Sequence, residues 1–242
     1  MGLSLGLVGA GGSILTVPLL VYGFGISPQA ATGAAFVVVG ILSAIGTATS
    51  AWQKNIDYKT LLIFSPISLT VAILSRTLFF QFVPKTVFGL EIDKLLMSAF
   101  AVLMILAAYA MTRPVDEKKA QIAPWKVIVS AVVVGTLSGI LGAGGGFLII
   151  PALVLGLGLS LPVALGTSLG IITINCLAGI SSDVMGGRAY PWPTIWSVTS
   201  VALIGMVVGI LVRSKLKVPQ LKQAFAVTVV LTAIFVLIQE WK

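Results

Sequence analysis

Two short runs of glycine interrupt highly apolar parts of this 242-residue chain. The stretches GLVGAGGSILTVPLL (6–20) and GILGAGGGFLIIPAL (139–153) carry glycines and a proline at matching positions. Glycine has no Cβ atom and interrupts helices, so a ligand can approach the exposed backbone closely. Free N–H groups at the start of a helix, together with the helix dipole, form a partial positive charge that suits an anion. The two runs therefore predict anion binding by backbone amides.

A second interpretation of these glycines stays open, because small residues also let membrane helices pack closely. Packing alone needs only spaced glycines, whereas a run of glycines ahead of a proline is typical of the broken helices of transporters. A nucleotide-binding loop is excluded, because no Lys-Ser or Lys-Thr pair follows either run. The candidate substrate-binding residues of the two runs are Gly9, Gly11, Gly12, Ser13, Gly142, Gly144, Gly145 and Gly146.

Polar side chains follow the glycine runs along the chain. Thr32, Thr167, Ser168 and Asn175 can each donate a hydrogen bond to an oxyanion, and we predict that they contribute to the same site. Each side chain can equally donate a hydrogen bond to a neighbouring backbone carbonyl within its own helix, and that alternative stays open. The single cysteine, Cys176, is interpreted as a packing residue.

Arg76 is the most distinctive single candidate, because it lies in the apolar stretch LTVAILSRTLFFQFV (69–83). At the offset between the two runs, Ala72 and Arg76 align with the two glycines of GMVVG (205–209), a pattern typical of a helix-packing face. This alignment predicts that Arg76 faces the bundle, where a guanidinium group needs an anionic partner such as a sulfonate. The alternative is that its long side chain reaches the membrane surface near Pro84.

The elements that position these residues belong to a membrane protein. Hydrophobic residues make up 58% of the chain, charged residues make up 9%, and the mean hydropathy is +1.12. A soluble domain of this size cannot bury so much apolar surface. Apolar runs recur along the chain with short polar or Gly/Pro stretches between them, which predicts an all-α, polytopic protein of the plasma or inner membrane.

Composition also excludes several function classes. The chain has no histidine and one cysteine, so we expect no metal site, and no motif indicates a cofactor. The net charge of +8 is interpreted as a topology signal of cytoplasmic loops and not as a nucleic-acid surface. The sequence leaves the oligomeric state open, including a homodimer.

The chain is an internal duplication with a constant offset of 133 residues between matching glycines. We predict a first membrane repeat at 1–111, a charged linker at 112–124 and a second repeat at 125–242. Each repeat contains a glycine-interrupted segment and three ordinary spans. The segments are 1–22, 28–51, 58–82 and 95–111 in the first repeat, and 125–157, 161–182, 193–212 and 219–238 in the second.

Loop charges distinguish two topologies for the interrupted segments. As one continuous helix, residues 125–157 would be about 50 Å long, against a hydrocarbon core of about 30 Å. If these segments cross the membrane, the lysines and arginines divide eight against six between the two sides. If they enter and return, the division is ten against four, which follows the positive-inside rule. Three crossings per repeat also invert the second repeat, which predicts that the glycine turns approach the membrane midplane from opposite faces.

The chain resembles a known family at the residues described above. The doubled signature G-x-G-G-[GS]-x-x-x-x-P-x-L (9–20 and 142–153), followed by ATGAAF (31–36) and ALGTSL (164–169), resembles the TauE/SafE family of membrane exporters. The resemblance covers both halves and implies export of sulfite or organosulfonate anions. Ser13 departs from the pattern, since the second run has glycine there.

These observations predict a secondary transporter of small anions, with sulfite, sulfonate or related sulfur oxyanions as the substrates, that works by alternating access. An anion channel is the main alternative. A membrane-embedded enzyme would need an ionisable catalytic pair, and only Arg76 and Asp183 come close, so we predict no catalytic residues. The scarcity of membrane carboxylates favours efflux driven by the membrane potential over proton coupling.

Overall fold

The structure, a computed structural model, describes residues 1–9, 16–17, 19–82, 86–87, 90–112, 123–141, 146–187 and 189–240. The described α-helices are α1 (Gly2–Val8), α2 (Pro28–Trp52), α3 (Tyr58–Phe82), α4 (Ile92–Thr112), α5 (Pro124–Leu141), α6 (Gly146–Pro151), α7 (Leu161–Met185), α8 (Trp192–Lys215) and α9 (Val218–Glu240). Two π-helices cover Leu19–Gly23 and Ala152–Gly156. A small antiparallel hairpin joins β1 (Thr86–Val87) to β2 (Leu90–Glu91).

Five of the six ordinary spans predicted from the sequence are confirmed as long apolar helices, and the sixth, 95–111, lies within helix α4. Among the described residues, five helical stretches are long and apolar enough to cross a membrane: Ala30–Trp52, Tyr58–Ser75, Leu161–Met185, Trp192–Arg213 and Val218–Phe235. The outward side chains of these helices are apolar, and Leu62, Val201 and Ile204 are 69%, 72% and 68% exposed. Such a surface is compatible with lipid and not with water, which agrees with the predicted all-α membrane class.

The fold repeats the duplication seen in the sequence. Helices α2 and α7 have the same length, and the two π-helices lie at the same offset of 133 residues. Gly25 and Gly158, which are also equivalent, both have a left-handed backbone, with φ of +65° and +70°. Each is followed two residues later by a serine that precedes a helix with a proline in its first turn. The predicted linker, 112–124, lies mostly outside the described residues.

Helices of one half pair mainly with helices of the other half. The most extensive pairs are α3 with α5, α1 with α8, α2 with α7 and α4 with α9. Equivalent residues of the two halves make equivalent contacts. A Cβ atom added at Gly46 would lie 2.9 Å from Leu169. One added at Gly179, the equivalent of Gly46, would lie 2.8 Å from Phe36, the equivalent of Leu169. Each half therefore packs its helices mainly on helices of the other half.

Helices α2 and α7 form the centre of the bundle and run antiparallel. Gly33 lies against Asp183, Gly40 against Cys176 and Gly46 against Leu169, so the numbers rise along one helix and fall along the other. A Cβ atom added at Gly40 would lie 3.2 Å from the Cβ atom of Cys176, which shows how closely the two backbones approach. Small residues make this approach possible, as in other membrane bundles.

The short helix α1 packs on α8 through glycines of both helices, and the two run parallel. A Cβ atom added at Gly209 would lie 2.6 Å from the carbonyl oxygen of Leu3 and 3.0 Å from the Cα atom of Gly6. The prediction that GMVVG is a packing face is confirmed. The aligned face of α3 also points into the bundle, because Gly139 of α5 contacts Ala72.

Candidate functional site

The predicted site residues divide between the described and the undescribed parts of the structure. Gly9, Thr32, Gly146, Thr167, Ser168 and Asn175 lie within described residues. Gly11, Gly12, Ser13, Gly142, Gly144 and Gly145 lie outside them. Arg76 belongs to helix α3, but its side chain is outside the described part. The predicted convergence of all these residues on one anion therefore stays a prediction.

The first glycine run interrupts its helix as predicted, whereas Gly142, Gly144 and Gly145 of the second run lie outside the described residues. Helix α1 ends at Val8, and Gly9 follows in a left-handed conformation with φ of +76°. The N–H group of Gly9 donates to the carbonyl oxygen of Leu5 at 2.8 Å, which closes the last turn of the helix. In the second half, helix α5 ends at Leu141 and α6 begins at Gly146.

Gly9, at the start of the first glycine turn, lies nearer one end of helix α7 than its middle. A Cβ atom added at Gly9 would lie 3.2 Å from the side chain of Leu165, one turn after the start of α7. The middle of α7 is at Thr173, about 12 Å farther along a helix with a 1.5 Å rise per residue. Gly9 is the described residue of this turn, so the approach of the two glycine turns to the membrane midplane stays a prediction.

Two of the predicted hydroxyl groups bond to the protein itself. The Thr167 side chain is fully buried, and its Oγ1 atom accepts a hydrogen bond from the backbone N–H group of Asp57 at 3.0 Å. The Ser168 hydroxyl donates to the carbonyl oxygen of Leu165 at 2.8 Å, within its own helix. Thr32 lies half-buried in α2. Thr167 thus caps the start of α3, and Ser168 follows the alternative left open above.

Thr167→Val should destabilise the protein by about 1–3 kcal/mol, because it leaves the N–H group of Asp57 without its acceptor. Thermal unfolding in detergent measures the loss. Ser168→Ala is the matched control and should cost less, since the Leu165 carbonyl keeps its helical partner. A Thr167→Val protein of unchanged stability would contradict the capping role.

Among the described candidates, Asn175 has the strongest structural support for contact with a ligand. It lies half-buried near the middle of α7, and its Oδ1 atom is buried without a hydrogen-bond partner among the described residues. A buried amide group without a partner is costly, so most such groups in proteins are paired or bind water. We therefore retain Asn175 as a candidate for substrate or water contact.

A buried hydroxyl cluster at the crossing of α2 and α7 was not predicted. The Thr173 Oγ1 atom lies 3.0 Å from the Ser43 Oγ atom and 3.3 Å from the Thr47 Oγ1 atom. Cys176, 5% exposed, packs in the same crossing. The sequence does place Ser43 and Thr47 one helical turn apart, on the same face of a helix. It does not show that Thr173, 130 residues after Ser43, lies opposite them.

An open cavity of about 190 Å³ lies at one end of the bundle and was also missed. Gly6 of α1, Ser50 of α2 and Arg213 of α8 line it, together with Asn55 and Leu216 from the turns after α2 and α8. These two turns therefore share one end of the bundle, which we name the basic end because Lys54, Lys59, Lys215 and Lys217 lie in or beside the turns. Arg213 was not among the binding residues predicted from the sequence.

Comparisons with known proteins agree with these features. The family described as sulfite exporter TauE/SafE matches residues 1–236. A probable membrane transporter protein of Xylella fastidiosa (strain Temecula1) is 28% identical over 262 residues, covering 100% of this chain and 92% of that protein. A probable membrane transporter protein of Methanocaldococcus jannaschii is 29% identical over 223 residues, covering 87% and 78%. The probable membrane transporter protein YunE of Bacillus subtilis is 25% identical over 258 residues, covering 93% and 89%.

No solved structure matches the chain significantly. The family match extends over both halves, as the resemblance of the doubled glycine signature implied. The relatives are described as transporters, which agrees with the prediction that the protein is not an enzyme. Together with the apolar helices, these matches show that the chain belongs to the sulfite exporter TauE/SafE family and is a multi-pass membrane transporter.

Proposed function

We propose that this transporter moves small oxyanions, sulfite, sulfonates or related organosulfur anions, across the membrane by alternating access. The observation that carries the proposal is the exchange of glycine-interrupted segments between halves. Helix α1 of the first half packs on α8 of the second, and α5 of the second half packs on α3 of the first. Two equivalent helix pairs around one centre suit a carrier in which the two halves move against each other between two states.

We propose further that the two halves have opposite orientations in the membrane. Two equivalent helices that run antiparallel, as α2 and α7 do, are related by an axis perpendicular to them. Because such helices cross the bilayer, this axis lies in the membrane plane, as in transporters built from inverted repeats. The antiparallel contacts from Gly33 with Asp183 to Gly46 with Leu169 support this arrangement.

The contacts also support a second segment that enters and returns on the same side. Helices α3 and α5 run parallel, with Gly135 beside Ser68 and Gly139 beside Ala72. Counting back eleven residues from the contact of Gly135 with Ser68 gives Pro124 on α5 and Asp57 just before α3. Because the two helices run parallel, Pro124 lies near Asp57, and α5 starts at the basic end. Helix α7 starts there as well, because Gly166 lies against Asn55. The chain from 124 to 160 thus leaves the basic end and comes back to it.

This geometry also agrees with the charge distribution. The turns with Lys54 and Lys217 lie at the same end, as the ten-against-four division of positive charges requires. Under the positive-inside rule the basic end is cytoplasmic. An inside-negative potential then favours export of an anion by about 2.3 kcal/mol per charge per 100 mV.

Counterflow in proteoliposomes tests the function. Purified protein should exchange labelled sulfite or methanesulfonate against the same anion with saturable kinetics, and a panel with other sulfonates, sulfate and short carboxylates should rank the substrates. A channel would show conductance without saturation at low millimolar concentration and no counterflow.

In the same assay, Arg76→Ala and Gly145→Leu should each abolish most of the exchange in folded protein. Unchanged exchange by both variants would remove these two residues from the site.

A further inference from the structure

We propose that the cavity at the basic end, lined by Gly6, Ser50 and Arg213, is a binding site for a small oxyanion entering from the cytoplasm. This inference rests on the proposed function and adds a site outside the predicted glycine and Arg76 residues. The cavity lies one helical turn from Gly9, because Gly6 lines the cavity and Gly9 follows it at the end of α1. An anion bound there is next to the first interrupted helix.

The charge in the cavity comes from Arg213. Its side chain is partly buried in the cavity wall, and neither Asp57 nor Asp183, the carboxylates with described side chains, forms an ion pair with it. Asp57 accepts the hydrogen bond of the Thr60 hydroxyl, and Asp183 lies near the opposite end of α7. A guanidinium group offers paired N–H donors that match the oxygens of a sulfonate, a sulfite or a carboxylate.

A second, independent observation is the Ser50 hydroxyl group. Ser50 is 3% exposed and lines the cavity, and no hydrogen bond of its side chain occurs within the described part of the chain. Its neighbour Thr49 differs, because that hydroxyl donates to carbonyl oxygens of its own helix. A hydroxyl group that lines a cavity and has no protein partner there can bond to a ligand or to water. An oxyanion would accept its proton.

Two helix starts add to the positive potential. Pro162 in the first turn of α7 and Val218 at the start of α9 both line the cavity. The N-terminal end of each helix carries a partial positive charge that attracts anions. Each helix is longer than twenty residues, so its dipole is fully developed at this end.

The size and walls of the cavity limit the ligand. About 190 Å³ holds a small oxyanion and a few waters, since a water occupies about 30 Å³ of the liquid. Leu5, Met206 and Ile210 form an apolar wall that accommodates the methyl or ethyl group of a short organosulfonate. Methanesulfonate is therefore a suitable probe.

The duplication does not produce the same site at the other end. The residue equivalent to Ser50 is Asp183, which is 5% exposed and lies 3.5 Å from the Tyr190 hydroxyl. The residue equivalent to Leu169 of the cavity wall is Phe36, whose ring packs on Gly179. A carboxylate repels an anion, so among the described residues the equivalent position at the opposite end does not repeat this binding chemistry.

Protection of an engineered cysteine tests the site without a transport assay. In a Cys176→Ser background, the Ser50→Cys thiol should react with a membrane-impermeant methanethiosulfonate reagent added to the cytoplasmic face, in inside-out vesicles. Methanesulfonate should slow this reaction at least fivefold, and Arg213→Gln should remove the protection. Equal rates with and without methanesulfonate would overturn the proposal, as would reaction only from the outer face.

Counterflow of the same anion gives the second measurement. Arg213→Gln should raise the half-saturating concentration about 10- to 100-fold, and Arg213→Lys should recover part of it. Lys215→Gln is the matched control. It removes the same charge about half a helical turn from Arg213, and the Lys215 side chain is exposed. Equal effects of Arg213→Gln and Lys215→Gln would overturn the site. Protection that depends on Arg213, without counterflow of any anion, would support the site and contradict the transport proposal instead.

Discussion

Gly139→Leu is expected to prevent α5 from packing on α3 and to leave little folded protein. A Cβ atom added at Gly139 would overlap the Ser75 hydroxyl and the carbonyl oxygen of Ala72, and it would lie 2.9 Å from the Ala72 carbonyl carbon. Two of these atoms belong to the backbone of α3, which cannot move as a flexible side chain can. We expect a loss of about 3 kcal/mol or more in the free energy of unfolding, the upper range for overpacked cores.

The duplication extends this prediction to the first half. Gly6 contacts the carbonyl oxygen of Met206 in the same way, so Gly6→Leu should be as harmful as Gly139→Leu. Fluorescence-detected size-exclusion chromatography and apparent Tm values in detergent measure both effects. Gly186→Leu is the matched control, because the nearest atom to an added Cβ is 3.4 Å away and Gly186 is exposed. Gly139→Leu with the Tm of the control would show that α3 and α5 do not pack as described.

Gly9→Val is expected to destabilise the protein by about 2–5 kcal/mol, from two separate causes. The left-handed backbone, with φ of +76°, costs a residue with a Cβ atom about 1–2 kcal/mol. The added side chain would also press on Leu165, whose Cδ2 atom is 3.2 Å from the new Cβ position. Crowding of this kind adds about 1–3 kcal/mol.

Gly25→Val separates the two causes. Gly25 has nearly the same φ, +65°, but an added Cβ atom would meet nothing within 4 Å, so only the backbone cost of about 1–2 kcal/mol applies. Gly9→Asn should recover part of the loss, since asparagine tolerates the left-handed region. Chemical unfolding in detergent compares the three variants. Equal losses for Gly9→Val and Gly25→Val would contradict the contact between α1 and α7.

The Arg76 prediction shows where sequence reasoning about a membrane protein is strong and where it stops. The alignment of Ala72 with a glycine of GMVVG correctly predicted that this face of α3 meets another helix, because small residues repeated at helical spacing mark such faces. It did not identify the partner, since the pattern is the same whichever helix packs on it. The partner is α5, which follows α3 by one whole helix and a linker.

The polar side chains predicted to bind the anion show the same limit. Thr167, Ser168 and Asn175 were selected by type and by position after a glycine run. The Thr167 hydroxyl accepts a hydrogen bond from the N–H group of Asp57, at the start of α3. The Ser168 hydroxyl donates to the carbonyl oxygen of Leu165, one turn back in its own helix. The Asn175 Oδ1 atom has no hydrogen-bond partner among the described residues. Residue type sets the capacity to form a hydrogen bond, while the neighbours that use this capacity come from distant parts of the chain.

The amino-acid sequence by itself determined the membrane spans, the duplication, the helix interruptions and the family. Each of these depends on local properties: hydropathy over about twenty residues, the missing Cβ of glycine, and a repeated motif. Only the tertiary structure decided that the halves exchange helices, that Gly9 lies nearer one end of α7, and that Arg213 and Ser50 meet in one cavity. These features join residues from separate helices far apart in the chain, and their pairing is set by the packing of whole helices, which no local pattern records.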